Sequence, residues 1–394
     1  MATNTLYYIF AILIVTTLLV SSMLLTSLDL SRACLFQQDQ QTSTEALSLL
    51  NNLLQNPGSP IDWGTKSIMP TGFGLKEPYA EQMAPSPFTP MRLMKTTEIV
   101  VYNNSEYRNL TSESMNLFMK EDEYVLYDKA ADLLAIDDTY GFRVIMTPIL
   151  NITVFQVESN PLKIGISLLS LSGTVYGAEL IATLYYLKTG SPYPSISEPI
   201  ILSTVSNISG GAEIEFSTIN ANDTLYFVLV RANLGGIMGV GYYINAPSGQ
   251  SPLIPLITGY DEGVISLVHR KNLTSSFSID GDLYYNLTFI TQLRATEFRT
   301  INIENSFGIV KPNEPKIITV GVGSPGVLLI SSKTPSEEYG LTIMPWGIVP
   351  LSLSMDYGAD PINKKTVVKK SMNVVISGLS YQAEVALWRL DVEG

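Results

Sequence analysis

The first long apolar run of the chain extends from Leu6 to Leu28 and contains no charged residue. At 1.5 Å per residue, a helix of this length reaches roughly 34 Å, which is enough to cross the hydrocarbon core of a bilayer. The run is longer than the apolar part of a secretory signal peptide, and no Lys or Arg precedes it, so retention as an anchor is favoured over cleavage. The pattern predicts a transmembrane helix over residues 1–28, with the lipid bilayer as a partner.

Helical periodicity continues past this run, because residues 29–55 contain neither Pro nor Gly. The Pro-Gly-Ser-Pro sequence at 57–60 should end the helix, since proline cannot donate to the helical ladder and glycine favours the left-handed cap. We therefore predict a helical stalk over residues 29–60. One face of its last turns carries an apolar stripe, formed by Ala46, Leu47, Leu50 and Leu54. This stripe packs either onto the chain's own downstream domain or, as an assembly face, against other copies.

Beyond the stalk, the pattern changes to short strands separated by turn residues. Residues 61–159 mix strand-like runs with one amphipathic helix near 121–136, which predicts an α+β segment. From 160 to 250, apolar residues alternate at period two and Gly, Pro, Ser and Asn clusters separate the runs, which predicts an immunoglobulin-like β-sandwich. A Pro-rich connector near 246–255 leads into a second β-rich domain over residues 251–394.

These elements together define the expected fold class. It is mainly β, with an N-terminal transmembrane helix that continues into a helical stalk, followed by two antiparallel β-sandwich-like domains with one short helix. No fixed period of 20–50 residues repeats along the chain, so a solenoid is not expected.

Charge and composition narrow the choice of partners. The chain has 36 acidic and 24 basic residues, a net charge of −12, which disfavours a nucleic-acid partner. The single cysteine excludes an intrachain disulfide framework. Asn-x-Ser/Thr sequons, candidates for N-glycosylation, lie beyond the apolar run and favour an extracellular C-terminal portion. The seven candidate asparagines are Asn103, Asn109, Asn151, Asn207, Asn222, Asn272 and Asn286.

Residues that could carry catalysis are scarce. The only histidine, His269, has no second histidine or cysteine motif with which to build a zinc site. The pairs Asp137/Asp138 and Asp280/Asp282 are best explained as turn residues, and calcium ligation is the alternative. The glycine-rich stretch "GGIMGVGYY", residues 235–243, lies between strand-like runs, which favours a close-packed strand over a nucleotide loop. No catalytic residue, cofactor or metal is expected.

The uncharged N-terminal helix, its helical continuation, the break "LLQNPGSPIDWG" and the following β domains together resemble archaeal type IV pilin-like, membrane-anchored surface proteins. The segment "LYDKAADLLAIDDTYGFRVIMTPILNITV" is similar to the second part of such proteins. This resemblance covers residues 1 to about 155. It implies a structural, non-enzymatic protein.

The sequence therefore predicts a non-enzymatic structural component of an archaeal cell surface, a pilin-like subunit or envelope protein that assembles through its N-terminal helix. Self-association, or association with other pilin-like subunits, is the expected interaction. The expected location is the cell membrane, crossed once, with extracellular C-terminal domains or in surface filaments. The alternative function is a membrane-anchored monomeric adhesin or accessory protein that binds a carbohydrate or another cell surface.

Overall fold

The computed structural model describes residues 2–80, 83–96, 98–110, 115–136, 139–190, 192–246, 251–260, 262–273, 279, 281–294, 297–301, 303, 306–320, 324–361 and 366–390. Side chains are described for these residues except 2–12, 28–36, 292–294 and 297. The two α-helices in this part of the chain are α1 Ala2–Gln55 and α2 Tyr127–Leu134. Short 3-10 helices span Trp63–Thr65, Thr89–Leu93, Glu121–Glu123, Arg270–Asn272 and Val349–Leu351.

Strands are the commonest elements of the described chain. The strands, numbered in chain order, are β1 Glu98–Tyr102, β2 Ser105–Asn109, β3 Phe118–Lys120, β4 Tyr140–Pro148, β5 Leu150–Ser159, β6 Leu162–Ser170, β7 Gly173–Thr174, β8 Glu179–Lys188, β9 Ser195–Ile196, β10 Ile200–Val205, β11 Gly211–Phe216, β12 Tyr226–Leu234, β13 Ile237–Asn245, β14 Leu253–Gly259, β15 Val264–His269, β16 Leu283–Arg294, β17 Glu297–Ile301, β18 Phe307–Val310, β19 Lys316–Thr319, β20 Gly326–Lys333, β21 Tyr339–Trp346, β22 Met355–Gly358, β23 Val368–Ile376 and β24 Leu379–Arg389. The mainly β character predicted from the alternating runs is confirmed.

The membrane-crossing part of the predicted fold class is wrong. Among the helices of the described chain, none has both the length and the apolar character that a bilayer crossing requires. The transmembrane helix over residues 1–28 and the single-pass membrane localisation are therefore corrected.

The predicted stalk over residues 29–60 is corrected as well. Helix α1 ends at Gln55, and its last turns lie against β23 and β24 of the same chain. The segment after the helix folds back beside it, because the backbone N–H of Leu75 donates to the carbonyl of Leu53 at 2.8 Å. The Gln41 side chain accepts a hydrogen bond from Arg389 at 2.9 Å, so contact with the docking sheet begins in the last third of the helix.

The sheet that receives α1, here called the docking sheet, has the strand order β22-β4-β24-β23. Strand β4 lies in its interior, and the register pairs Gly141 with Trp388. A Cβ added at Gly141 would lie 2.4 Å from the Trp388 ring, so a glycine is needed where this indole crosses the strand. The docking sheet thus joins residues 140–148 to the end of the chain.

A β-sandwich spans residues 150–245, between β4 and β14, and is here called the inserted sandwich. One of its sheets has the order β10-β8-β12-β13, with β9 on β8, and the other has the order β11-β6-β5, with β7 on β6. Alternation along β6 buries one face completely, as the period-two pattern predicts. The predicted domain boundary at 160 falls in the turn between β5 and β6.

The remaining strands form two sheets that share one core with the docking sheet and α1. The first has the order β1-β2-β3-β14-β15-β19, and the second has the order β17-β16-β20-β21, with β18 on β16. Strand β3 runs parallel to β14, and Phe118 pairs with Leu256. The predicted α+β segment of residues 61–159 is therefore divided among three sheets, and the predicted second domain is completed by strands from before the inserted sandwich.

Candidate functional site

Residues with metal-binding or catalytic chemistry do not converge in the described part of the chain. Within those residues, no group of three His, Cys, Asp or Glu side chains could hold a metal ion. His269 is fully buried at the end of β15, and its Nδ1 accepts a hydrogen bond from the backbone N–H of Lys271. Asp137, Asp138 and Asp280 lie outside the described residues, so the calcium alternative at those positions stays a prediction.

One buried charged cluster does exist, around Arg92 in the 3-10 helix Thr89–Leu93. The Arg92 side chain is fully buried, and its guanidinium lies 5.2 Å from the centre of the Trp63 ring. Its Nε donates to the carbonyl of Glu123 at 2.6 Å, and its Nη2 donates to the carbonyl of Ile68 at 2.9 Å. Its Nη1 donates to the carbonyls of Trp63 and Lys66.

The carboxylate of Glu123 lies in the same cluster. It accepts a hydrogen bond from the Ser67 hydroxyl at 2.6 Å and one from the backbone N–H of Tyr260 at 3.3 Å. Burial raises the pKa of Glu123, and burial lowers the pKa of Arg92. Since the guanidinium donates to four backbone carbonyls, we assign this cluster to fastening two loops together. Sequence analysis missed it because an isolated Arg in a Pro-rich stretch carries no periodic signal.

The most exposed apolar surface of the described chain lies on α1. Nine large apolar side chains between residues 13 and 25 are each 55–71% exposed. They are Leu13, Ile14, Val15, Leu18, Leu19, Val20, Met23, Leu24 and Leu25. At 100° per residue, these positions surround the helix rather than forming one stripe.

The hydroxyl side chains between them bond back to the helix itself. Thr17 donates to the carbonyl of Leu13 at 2.6 Å, Ser21 to that of Thr17 at 2.7 Å, and Thr26 to that of Ser22 at 2.6 Å. These hydroxyl groups therefore have a hydrogen-bond acceptor without water. The segment from residue 13 to residue 26 is here called the exposed apolar segment.

The predicted assembly face lies elsewhere on α1 and is mostly not available to other copies. Ala46, Leu50 and Leu54 are buried within the chain, where they join the core of the docking sheet. Only Leu47 is exposed, at 45%. For these three residues, the interpretation that they face another chain is wrong, and the intrachain alternative is correct. Leu49 and Leu53 are buried as well, and they complete the face of the helix that packs within the chain.

The seven sequon asparagines differ in exposure. Asn103, Asn151, Asn207 and Asn222 are exposed, Asn272 and Asn286 are half-buried, and Asn109 is buried. The Asn207 side chain accepts hydrogen bonds from the backbone N–H groups of Ser209 and Gly211 at 2.9 and 3.0 Å, so it organises its own turn. Glycosylation of all seven stays a prediction.

A groove of about 380 Å³ lies where the inserted sandwich meets the docking sheet and the loop before β22. Strands β5 and β13 form one wall, and residues 351–354 and the end of β4 form the other. Its polar lining consists of Thr147, Asn151, Thr153, Tyr242, Ser352 and Ser354. Among the described residues, no charged side chain lines the groove. Burial raises the pKa of Tyr242, so its hydroxyl keeps its proton.

Two features of sequence shape this groove. Gly241 on β13 lies so close to β5 that an added Cβ would stand 2.6 Å from the side chain of Ile152, which confirms that the glycine-rich stretch is a close-packed strand. Ser352 adopts a φ of 48°, and its hydroxyl accepts a hydrogen bond from the backbone N–H of Val240 at 2.9 Å. This contact fastens the loop to the edge of the sandwich.

Comparison with known proteins identifies no family for this chain. No family model matches it, and no curated protein matches it. Among solved structures, trypsin-activated alpha-2-macroglobulin from Escherichia coli is 11% identical with a TM-score of 0.20, over 58% of this chain and 18% of that one. Human GIVD cytosolic phospholipase A2 is 6% identical with a TM-score of 0.12, over 65% of this chain and 33% of that one. Similarities this low leave the family open.

Proposed function

We propose that this chain is a non-enzymatic structural subunit that assembles with copies of itself through its N-terminal helix, as pilin-like proteins do. The observation that carries the proposal is the exposed apolar segment of α1. The helix face predicted from sequence is used within the chain, so assembly is assigned to residues 13–26 instead.

The segment is apolar on all sides, and a helix of this kind is stable when other apolar surfaces surround it. Copies of the same helix supply such surfaces, since each brings the same nine apolar side chains and hydroxyl groups already bonded to its own backbone. The side chains are a little more than half exposed, so complete burial stabilises the assembly by about 1 kcal/mol for each of them. The sum is on the order of 9 kcal/mol per chain. This is comparable with the cost of association, which is about 4–15 kcal/mol.

The non-enzymatic part of the proposal is supported by the use of the buried charged groups. Arg92 and Glu123 are engaged in loop contacts, and the described lining of the groove contains no residue that ionises near neutral pH. The absence of a nucleic-acid partner stays a prediction from the net charge.

The experiment is a double substitution in the full chain, Leu18→Glu with Leu24→Glu, followed by light scattering after size exclusion and by electron microscopy. We expect the wild type to form oligomers or filaments and the double variant to be monomeric, because two carboxylates in an apolar bundle cost several kcal/mol. The matched control is Leu47→Glu, an exposed leucine on the same helix outside the segment, which should assemble as the wild type does.

Two outcomes contradict the proposal. One is a double variant that assembles as the wild type does. The other is a wild-type chain that stays monomeric in aqueous buffer and only associates with lipid vesicles. Unfolding curves for both variants should coincide with that of the wild-type β domains, which shows that any loss of assembly is not a loss of fold.

A further inference from the structure

The groove beside the inserted sandwich contains a complete sequon. Asn151 and Thr153, the first and third residues of Asn151-Ile152-Thr153, both line the groove, and both are exposed on β5. Within the part of the chain that the structure describes, no other sequon has residues in this lining. A group attached to the Asn151 side chain therefore starts inside a concave site.

The chemistry of the groove suits a neutral, hydroxyl-rich group. Its polar lining is made of hydroxyl and amide side chains, which both donate and accept hydrogen bonds, and it carries no charge. Apolar side chains of β5 and β13 alternate with them, as in sites that bury a small ligand. The volume of about 380 Å³ lies within the range of ~300–1,000 Å³ for small-ligand pockets.

We propose that Asn151 is N-glycosylated and that the first sugars of this glycan occupy the groove between the inserted sandwich and the docking sheet. The Nδ2 atom of Asn151 forms a bond to C1 of the sugar, and the C1–O bond to the diphosphate of a polyprenol-linked oligosaccharide donor breaks. The diphosphate leaves with the bonding electron pair, and Nδ2 gives up one proton.

The position of the groove gives this glycan a mechanical role. Its walls belong to the inserted sandwich on one side and to residues 351–354 on the other, and one hydrogen bond already links them, from the Val240 N–H to the Ser352 hydroxyl. Sugars held by both walls add further contacts across the same junction. The inference does not depend on assembly through α1.

The matched control is Asn222. It is an exposed sequon asparagine in the turn before β12, and it does not line the groove. The full-length protein is secreted from a eukaryotic host that glycosylates Asn-x-Ser/Thr sequons. It is then treated in the native state with peptide-N-glycosidase, and mass spectrometry follows the release of glycan from each asparagine. We expect release at Asn151 to be at least tenfold slower than at Asn222, and the two rates to become equal after denaturation.

A second variant separates the groove from the sequon. Ser354 is exposed on the opposite wall, so Ser354→Trp fills the groove while Asn151-Ile152-Thr153 remains intact. Release at Asn151 should then become as fast as at Asn222. Amide exchange of residues 351–354 should be slower in the wild-type glycoprotein than in Asn151→Gln, whereas Asn222→Gln should leave it unchanged.

Several results overturn the proposal. One is an Asn151 that carries no glycan. Another is equal glycan release at Asn151 and Asn222 in the native state. A third is a release rate at Asn151 that Ser354→Trp leaves unchanged. A free sugar is tested by titrating chitobiose into unmodified protein from a bacterial host. If amide exchange of residues 351–354 slows while Asn151 carries no glycan, the groove binds a free saccharide instead.

Discussion

Replacing the buried arginine of the loop cluster tests how the loops around it are held. We expect Arg92→Met to lower the free energy of unfolding by about 3–5 kcal/mol, the range observed when one partner of a buried charged network is removed. The hydrogen bonds from Arg92 to the carbonyls of Glu123 and Trp63 are buried, and each carbonyl that loses its donor costs about 1–3 kcal/mol. The lost contact with the Trp63 ring adds about 0.5–2 kcal/mol. Removing a buried charge from the cluster offsets part of this sum.

The pH dependence of the loss separates electrostatics from packing. Burial already raises the pKa of Glu123, and the nearby Arg92 charge lowers it. A carboxyl group whose folded pKa is raised makes the fold less stable as pH rises above its unfolded value near 4.5. Without Arg92, the folded pKa of Glu123 rises further, so the destabilisation by Arg92→Met should be larger at pH 8 than at pH 5.

Urea unfolding followed by tryptophan fluorescence measures the change, since Trp63 packs against the guanidinium. Lys369→Met is the matched control. It breaks an ion pair with Glu384 in which the lysine side chain is 62% exposed, and such a pair contributes about 0–1 kcal/mol. Arg92→Met with a loss no larger than that of Lys369→Met, or a loss independent of pH, would refute the assignment.

Two further predictions follow from burial. Leu50→Asp should lower the free energy of unfolding by several kcal/mol, because Leu50 is 1% exposed against the docking sheet. Leu47→Asp should stay within about 0.5 kcal/mol of wild type. Equal effects of the two variants in calorimetry would argue against the observed helix docking. Burial raises the pKa of Tyr185 to about 12, so stability should fall as pH rises above 10, where tyrosines of the unfolded chain ionise first. Spectroscopic titration of tyrosinate checks this, and a Tyr185→Phe variant with an unchanged alkaline stability loss would contradict it.

The sequence predicted those elements whose signal is local. The alternation along β6, the end of α1 near the Pro-Gly-Ser-Pro turn and the close packing of the glycine-rich stretch all follow from residues within a short window. The membrane interpretation also rested on a local run, and it is wrong, because none of the helices in the described residues has the length and apolar character that a bilayer crossing requires.

The parts that could not be predicted depend on contacts between distant residues. Strand β4 reads as one more alternating run, and nothing near it indicates that β22 and β24 will flank it. The same holds for the parallel pairing of Phe118 with Leu256. These residues are more than a hundred positions apart, and the register between their strands produces no pattern in the local sequence. The groove is a product of these pairings, so its lining could not be assembled from motifs, although its sequon could be identified.

The docking sheet is completed by β23 and β24, the last strands of the described chain, and this has a consequence during synthesis. The inserted sandwich is continuous in sequence, and it can fold as soon as residue 245 has left the ribosome. The buried face of α1 has no such early partner, because β23 and β24 lie roughly 300 residues downstream. At ~5–20 residues per second, about 15–60 s pass between synthesis of the end of α1 and synthesis of β23 and β24. For that interval the leucines at the end of α1 lack the strands that bury them in the folded chain, so their apolar surface is the last part of this core to be covered.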